Sequence, residues 1–230
     1  MNKFNGLFHE LGYLGAAIYL LDRLLSKLSF GSVRVFQFLL YYQPVSTVPL
    51  LPPKRGHKIK ISVLSGGDLN VLAFPRPQKV LEQRLASGDK CFLAFMGEEL
   101  VGFSWLSFCQ YAEDNVRCNY EFGNDVVWDY DIYIEPRYRI GFAFAKLWQH
   151  VNEYMLENDI KGSMSRISAE NTPSIRSHEK LGGVKIGSQI FVRIGVAQLM
   201  LSSKKPFFHV SVFSSSRPRV FLCVPDNLQK

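Results

Sequence analysis

Apolar residues recur every three or four positions from Phe4 to Leu28: Phe4, Leu7, Phe8, Leu11, Leu14, Ile18, Leu21, Leu25 and Leu28. His9, Asp22, Arg23, Ser26 and Lys27 fall on the other side, so the spacing predicts one amphipathic helix over 4–28. Two surfaces suit its apolar stripe. One is protein, either the chain's own domain or a second copy forming a homodimer; the other is a membrane interface. Asp22 and Arg23 break the run well short of the roughly 18 apolar residues that a spanning helix needs.

The period then changes. Residues 33–43 begin in strict alternation and are rich in β-branched and aromatic side chains, which predicts a strand. The stretch from Pro49 to Gly56, stiffened by proline and closed by glycine, reads as a linker and marks a boundary. Beyond it the pattern predicts a strand at 58–64, a helix at 77–87 ending near Gly88, and strands at 90–96 and 99–109 turned at Gly97 and Glu98. A polar loop (110–125) leads to a strand at 126–134, a helix at 142–157, a strand at 163–168, a short helix at 173–181 and strands at 184–194 and 196–203. Such an order makes a mixed sheet with helices on both faces, the α/β class. Residues 207–224 predict one more hairpin, interrupted from Ser214 to Pro218. The expected organisation is thus an N-terminal helix, strand and linker (1–56), a central α/β domain (57–203) and a C-terminal β extension (204–230).

Composition adds less. A chain that is 47% hydrophobic and 20% charged is ordinary for a globular protein. The net charge of +7 is spread along the chain with no run of five or six basic residues, which argues against a nucleic-acid partner. It suits a polyanionic small ligand or an acidic membrane surface. Cys91, Cys109, Cys118 and Cys223 form no CxxC pair and no zinc spacing, so reduced thiols and no metal are expected. Cys91 and Cys109 lie in apolar, strand-like runs and read as core residues. The N-terminus has one early Lys and no A-x-A cleavage site, which predicts a cytoplasmic protein, or one peripheral on the inner face of the membrane.

Two segments carry chemistry. In the first, the strand ending Asp129 to Ile134 runs through Glu135 and Pro136 into Arg137, Tyr138, Arg139, Ile140, Gly141, Phe142 and Ala143, where a helix opens. Such a loop gathers free backbone N–H groups and a positive helix end at one spot, which suits a diphosphate. Gly141 lets the backbone approach a ligand closely, Ala143 leaves the helix start unobstructed, and Arg137 and Arg139 can pair with phosphate oxygens. A solvated basic turn is the plainer alternative. In the second, Thr172 can cap a helix that begins at Pro173 and ends at Gly182. Asn171, Ser174 and His178 then share one face, while Ile175 and Leu181 turn towards the core.

Together these segments resemble the GNAT (Gcn5-related N-acetyltransferase) superfamily, whose members show a strand, a Pro, an Arg/Gln-x-x-Gly-x-Gly/Ala loop, a helix, a strand, then Asn-x-x-Ser/Ala and a Tyr-x-x-x-Gly helix end. The likeness spans roughly 58–203, and its specific part is 126–187. It implies a GNAT fold that moves an acetyl or longer acyl group from an acyl-coenzyme A directly to the amine of a small-molecule acceptor. Within it, the backbone of Ile132, Tyr133 and Ile134 would pair with the pantetheine arm. Tyr138, Gly141 and Ala143, with Ile140 and Phe142 of the same loop, would hold the diphosphate. Asn171, with Ser174, would contact pantetheine or order the short helix. His178 stands where many members have the tyrosine that protonates the departing thiolate, work that an imidazole can also do; an exposed helix histidine is the alternative. A non-catalytic acyl-CoA-binding module and a long-chain N-acyltransferase at a membrane surface are the rival functions.

The sequence departs from the family in three places. Tyr138 leads the loop in place of Arg or Gln, Gly183 replaces the usual Phe after Gly182, and Trp128 stands where some members place a general base. A base would then come from Asp129 or Asp131, which alternation puts on one strand face, or from Glu135, Glu113 or Asp114.

Overall fold

A computed structural model describes residues 3–66, 74–225 and 228. Packing divides the chain into two compact units that interleave along the sequence. One comprises residues 1–43, 110–123 and 164–230, and the other residues 44–109 and 124–163.

The second unit contains β2 (Ile59–Val63), α2 (Gln78–Ala86), β3 (Lys90–Met96), β4 (Glu99–Phe108), β7 (Val126–Ile134) and α3 (Ala143–Glu157). Its strands run in the order β7-β4-β3-β2, and each neighbouring pair is antiparallel. On one face α3 buries Ala143, Leu147, Val151 and Met155 against Phe92, Ala94, Val101 and Leu106. On the other, Leu81 of α2 packs with Leu93, Phe103 and Trp105. The continuous apolar runs of β3 and β4 follow from this, since both faces of the sheet are covered.

Within β7 the alternation fails. Phe103 pairs with Tyr133 and Trp105 with Tyr130, so Asp131 and Ile132 both stand opposite Ser104. The extra residue makes a β-bulge, and Asp131 takes a left-handed φ of 47°. Asp129 and Asp131 therefore do not share an environment as alternation predicted. Asp129 is buried, while Asp131 accepts from Arg76 Nε at 2.9 Å and Arg84 Nη1 at 2.6 Å. The strands come close beside the bulge: a Cβ on Gly102 would lie 2.6 Å from Ile134 Cδ1 and 2.8 Å from the Tyr133 carbonyl oxygen.

The first unit holds α1 (Lys3–Leu28), β1 (Val33–Pro44, with Pro44 itself in the other unit), β5 (Gln110–Ala112), β6 (Asn119–Phe122), β8 (Gly162–Ser168, of which residues 164–168 belong here), α4 (Thr172–Lys180), β9 (Val184–Ile194), β10 (Ala197–Ser202), β11 (Phe208–Ser211) and β12 (Arg219–Leu222). Its main strands are ordered β11-β10-β9-β1-β8, and β12, β6 and β5 form a small second sheet. The polar loop expected at 110–125 thus contains two strands, whose polar alternation is too short to stand out. The expected hairpin at 207–224 is not one: β11 pairs antiparallel with β10, whereas β12 pairs in parallel with β6, where Arg219 Nε meets Glu121 Oε1 at 2.5 Å. Residues 226, 227, 229 and 230 of the expected extension lie outside the described residues.

The single helix expected over 4–28 is broken at Gly12, whose φ of 68° and ψ of 170° are not helical. The side chains of Phe4, Leu7 and His9 lie outside the described residues. Past the break Ala16 is fully buried, whereas Leu14, Leu21 and Leu28 are exposed, so the apolar stripe is divided between two faces. Asp22 holds the helix on β1 by accepting from the Val35 N–H at 2.7 Å and from Arg34 Nε at 3.0 Å. Among the described residues no helix is long and apolar enough to cross a membrane. All four cysteines are free, and Cys109, expected in the core, is exposed at a φ of 67° just past β4.

Candidate functional site

Residues 136–143 leave β7 through a short 3-10 turn (Pro136–Tyr138) and enter α3 at Ala143. Tyr138 N–H donates to the Glu135 carbonyl at 2.8 Å and Gly141 N–H to that of Tyr138 at 3.1 Å, which sets the loop. The first intrahelical bond of α3 is Lys146 N–H to the Phe142 carbonyl, at 2.8 Å. The N–H groups of residues 143–145 precede that bond, and Phe142 at the N-cap makes no side-chain capping bond. A helix of 15 residues therefore presents an uncapped positive end.

A cavity of about 510 Å³ opens there, lined by Tyr138, Gly141, Phe142 and Ala143, by Lys54, Arg55, His57 and Lys58, and by the apolar Ile59 and Met96. Among the described residues, no Asp or Glu lines it. Gly141 is not in the left-handed region, and a Cβ there would meet only the Tyr138 carbonyl oxygen, at 3.4 Å. The backbone itself does not require glycine at 141. What a side chain there would take is space beside the helix end, which is the cradle a phosphate group needs.

The structure brings four of the expected anchors, Tyr138, Gly141, Phe142 and Ala143, onto one cavity. It turns the other three elsewhere. Arg137 pairs with Glu99, Arg139 Nε donates to the Ile134 carbonyl at 3.0 Å, and the Ile140 side chain is fully exposed. Tyr138 hydroxyl donates to Glu99 Oε2 at 2.9 Å, a bond that raises the phenol above its ordinary pKa. Ile132, Tyr133 and Ile134 occupy the end of β7 beyond the bulge; the Tyr133 ring stacks on Phe103 with centroids 5.3 Å apart, and its hydroxyl donates to Glu135 at 2.6 Å.

Asn171, Ser174 and His178 lie in the other unit, on α4. Asn171, not Thr172, is the N-cap: its side chain accepts from Ser174 N–H at 3.3 Å. His178 is 3% exposed, whereas Ser174 is half-buried and Asn171 exposed. The Tyr41 ring lies 6.4 Å from the imidazole, and the Tyr41 hydroxyl donates to Glu179 at 3.0 Å. Burial and that bond push the Tyr41 phenol up to about 12. Gly183 has a structural reason: a Cβ there would fall 2.7 Å from the His178 carbonyl oxygen and 2.8 Å from Gln43 Oε1. Gln43 Nε2 donates to the Leu181 carbonyl at 2.6 Å, so β1 closes the end of α4 in place of an aromatic plug.

The candidate bases are mostly engaged. Burial alone would push the Asp131 carboxyl up, but Arg76 and Arg84 together hold it below the usual carboxylate range. Glu113, fully buried, accepts from Arg166 Nε at 2.7 Å and Nη2 at 2.5 Å. Glu135 takes the Tyr133 hydroxyl, and Trp128 is a core residue.

The basic run from Lys54 to Lys58 escaped the sequence reading as part of the cavity. Its charge was visible; its position beside α3 was not.

The sequence model of the acetyltransferase (GNAT) family matches residues 68–183. The chain belongs to that family, whose chemistry is acyl transfer. A conserved protein of unknown function from Staphylococcus epidermidis ATCC 12228 shares the fold at 12% identity and a TM-score of 0.52, over 76% of this chain and 68% of that one. So does a tandem GNAT protein from the clavulanic acid biosynthesis pathway, at 13% and 0.50, over 69% of this chain and 53% of that one. The ribosomal-protein-S18-alanine N-acetyltransferase of Escherichia coli aligns at 17% identity with a TM-score of 0.42, over 54% of this chain and 76% of that one. No curated protein matches the chain by sequence.

Proposed function

We propose that this protein is an N-acetyltransferase that moves the acetyl group of acetyl-coenzyme A directly to the amine of a small molecule. The observation that carries the reading is the cavity at the uncapped start of α3, where Gly141, Phe142 and Ala143 line a space with Lys54, Arg55 and Lys58 and, among the described residues, no Asp or Glu. Acetyl-coenzyme A supplies a thioester carbonyl open to attack by an amine. The N–H groups opening α3 hold its diphosphate, and the backbone of Ile132 to Ile134 pairs with its pantetheine arm. The bulge at Asp131 and Ile132 interrupts the β4 ladder, and this supports a role for a strand N–H there in meeting the carbonyl oxygen as it gains charge. His178 donates the proton to the departing sulfur; this role and that of Asn171 are assigned from their spacing in the sequence. With Asp131, Glu113 and Glu135 engaged, the amine loses its proton to solvent, and positioning supplies most of the rate.

Binding of coenzyme A tests the reading. The melting temperature should rise with acetyl-coenzyme A, corresponding to about 2.7 kcal/mol at a hundredfold excess over the dissociation constant. Gly141→Glu should fold normally and lose the shift, because its carboxylate occupies the phosphate cradle. A wild-type melting temperature that ignores saturating ligand, or a Gly141→Glu protein that binds as well, defeats the assignment. Release of free thiol with a panel of amines then separates an enzyme from a binding module.

A further inference from the structure

We propose that the turn Lys54–Lys58 binds the 3′-phosphate of coenzyme A's adenosine, so that a segment outside the matched family region completes the cofactor site. This rests on the reading above, in which the diphosphate sits at the start of α3.

The turn is held against that helix. A Cβ on Gly56, at a φ of 69° that favours glycine, would lie 3.2 Å from Leu51 Cδ1, 3.5 Å from Phe142 Cβ and 3.6 Å from Lys146 Cβ, so the turn lies close against α3. Leu51 N–H donates to Gln149 Oε1 of α3 at 3.3 Å, and Ile59 N–H to the Gly56 carbonyl at 2.9 Å. Arg55 places its guanidinium 5.5 Å from the centre of the Phe142 ring. Lys54 has a φ of 70°, which a residue with a Cβ rarely adopts, and its carbonyl accepts from His57 Nδ1 at 2.8 Å. Strain of this kind persists where the surroundings impose it, and it gathers at ligand clamps.

The charge is left open. Lys54, Arg55 and Lys58 line the cavity, and none of them meets a carboxylate among the described residues. Three adjacent cations without counter-ions repel one another, and a dianion relieves them. A phosphomonoester carries about −1.5 to −2 at neutral pH and accepts several charge-assisted hydrogen bonds. The diphosphate has its donors in the N–H groups opening α3, which leaves the basic turn to a second phosphate. Ile59 and Met96, which line the same cavity, give it an apolar part suited to an adenine ring.

The test compares coenzyme A with 3′-dephospho-coenzyme A by titration calorimetry on the full-length protein. Wild type should bind coenzyme A about tenfold or more tightly. The triple variant Lys54→Ala/Arg55→Ala/Lys58→Ala should bind coenzyme A no better than the dephospho form, and its affinity for the dephospho form should stay within about twofold. Lys58→Glu, which leaves Arg55 on Phe142 and the turn intact, should show the same selective loss in part. Equal affinities in wild type overturn this inference and leave the cofactor reading standing. So does a variant that loses both ligands alike, since the turn then serves the diphosphate or the fold. Failure of wild type to bind either ligand removes both proposals.

Discussion

Arg84 Nη1 donates to Asp131 Oδ2 across 2.6 Å, while Arg76 holds the same carboxylate from the other side. Asp131 sits at the bulge with a left-handed φ, its side chain 12% exposed, so this charge cluster fixes the strained point of β7.

Replacing Asp131 by Ala should cost about 3 kcal/mol of stability, because it leaves two guanidinium groups facing each other at a largely buried site. The cluster also sets a pH dependence. The folded carboxyl titrates below its ordinary value, so its contribution is complete above an unfolded pKa of about 3.9 and is lost as pH falls below that, through the folded value. Urea denaturation from pH 6 down to pH 3 measures it. Asp131→Asn should flatten the acid side of the profile, and an unchanged slope would show that the cluster adds nothing.

A second prediction separates the two units. Asp22→Ala removes the acceptor of Val35 N–H and the partner of Arg34, which should cost about 1–2 kcal/mol. Every residue lining the α3 cavity belongs to the other unit, so coenzyme A affinity should stay within a few-fold. Deleting residues 1–30 should spare binding in the same way. A folded truncation that no longer binds would make α1 part of the site.

What was legible in the sequence follows from range. The strands at 90–96 and 99–108, the strand ending at Ile134 and the helix from Ala143 carry their periodicity in a short window, and the observed elements agree with it closely. The loop from Tyr138 to Ala143 was legible because proline, arginine and glycine before a helix have local consequences. The bulge at Asp131 was not, since it exists only opposite Ser104 on another strand. The break at Gly12 was hidden because glycine is tolerated inside a helical pattern, and the strands of residues 110–122 because they are too short to show a period. The basic turn read as a linker because its meaning depends on Phe142 and Lys146, far along the chain.

The final prediction concerns His178. It stands seven residues after Asn171 and four before Gly182, the spacing at which the family places its thiolate-protonating tyrosine. The imidazole is buried beside Tyr41, so two consequences of substitution must be told apart. A purely packing role predicts that His178→Ala lowers the melting temperature while kcat per folded molecule changes less than threefold. A general acid predicts a fall in kcat of roughly 10²–10⁴ with coenzyme A affinity retained. His178→Phe fills most of the same space without a titratable group and should lose activity like the alanine variant. His178→Tyr offers a phenol in its place and should recover part of the loss. Tyr41→Phe serves as the neighbouring control, since the Tyr41 phenol is committed to Glu179 and holds its proton to about pH 12. If Tyr41→Phe abolishes turnover while His178→Phe does not, the acid is on β1. If both variants keep a kcat within threefold of wild type, neither ring delivers the proton and the thiolate leaves through water.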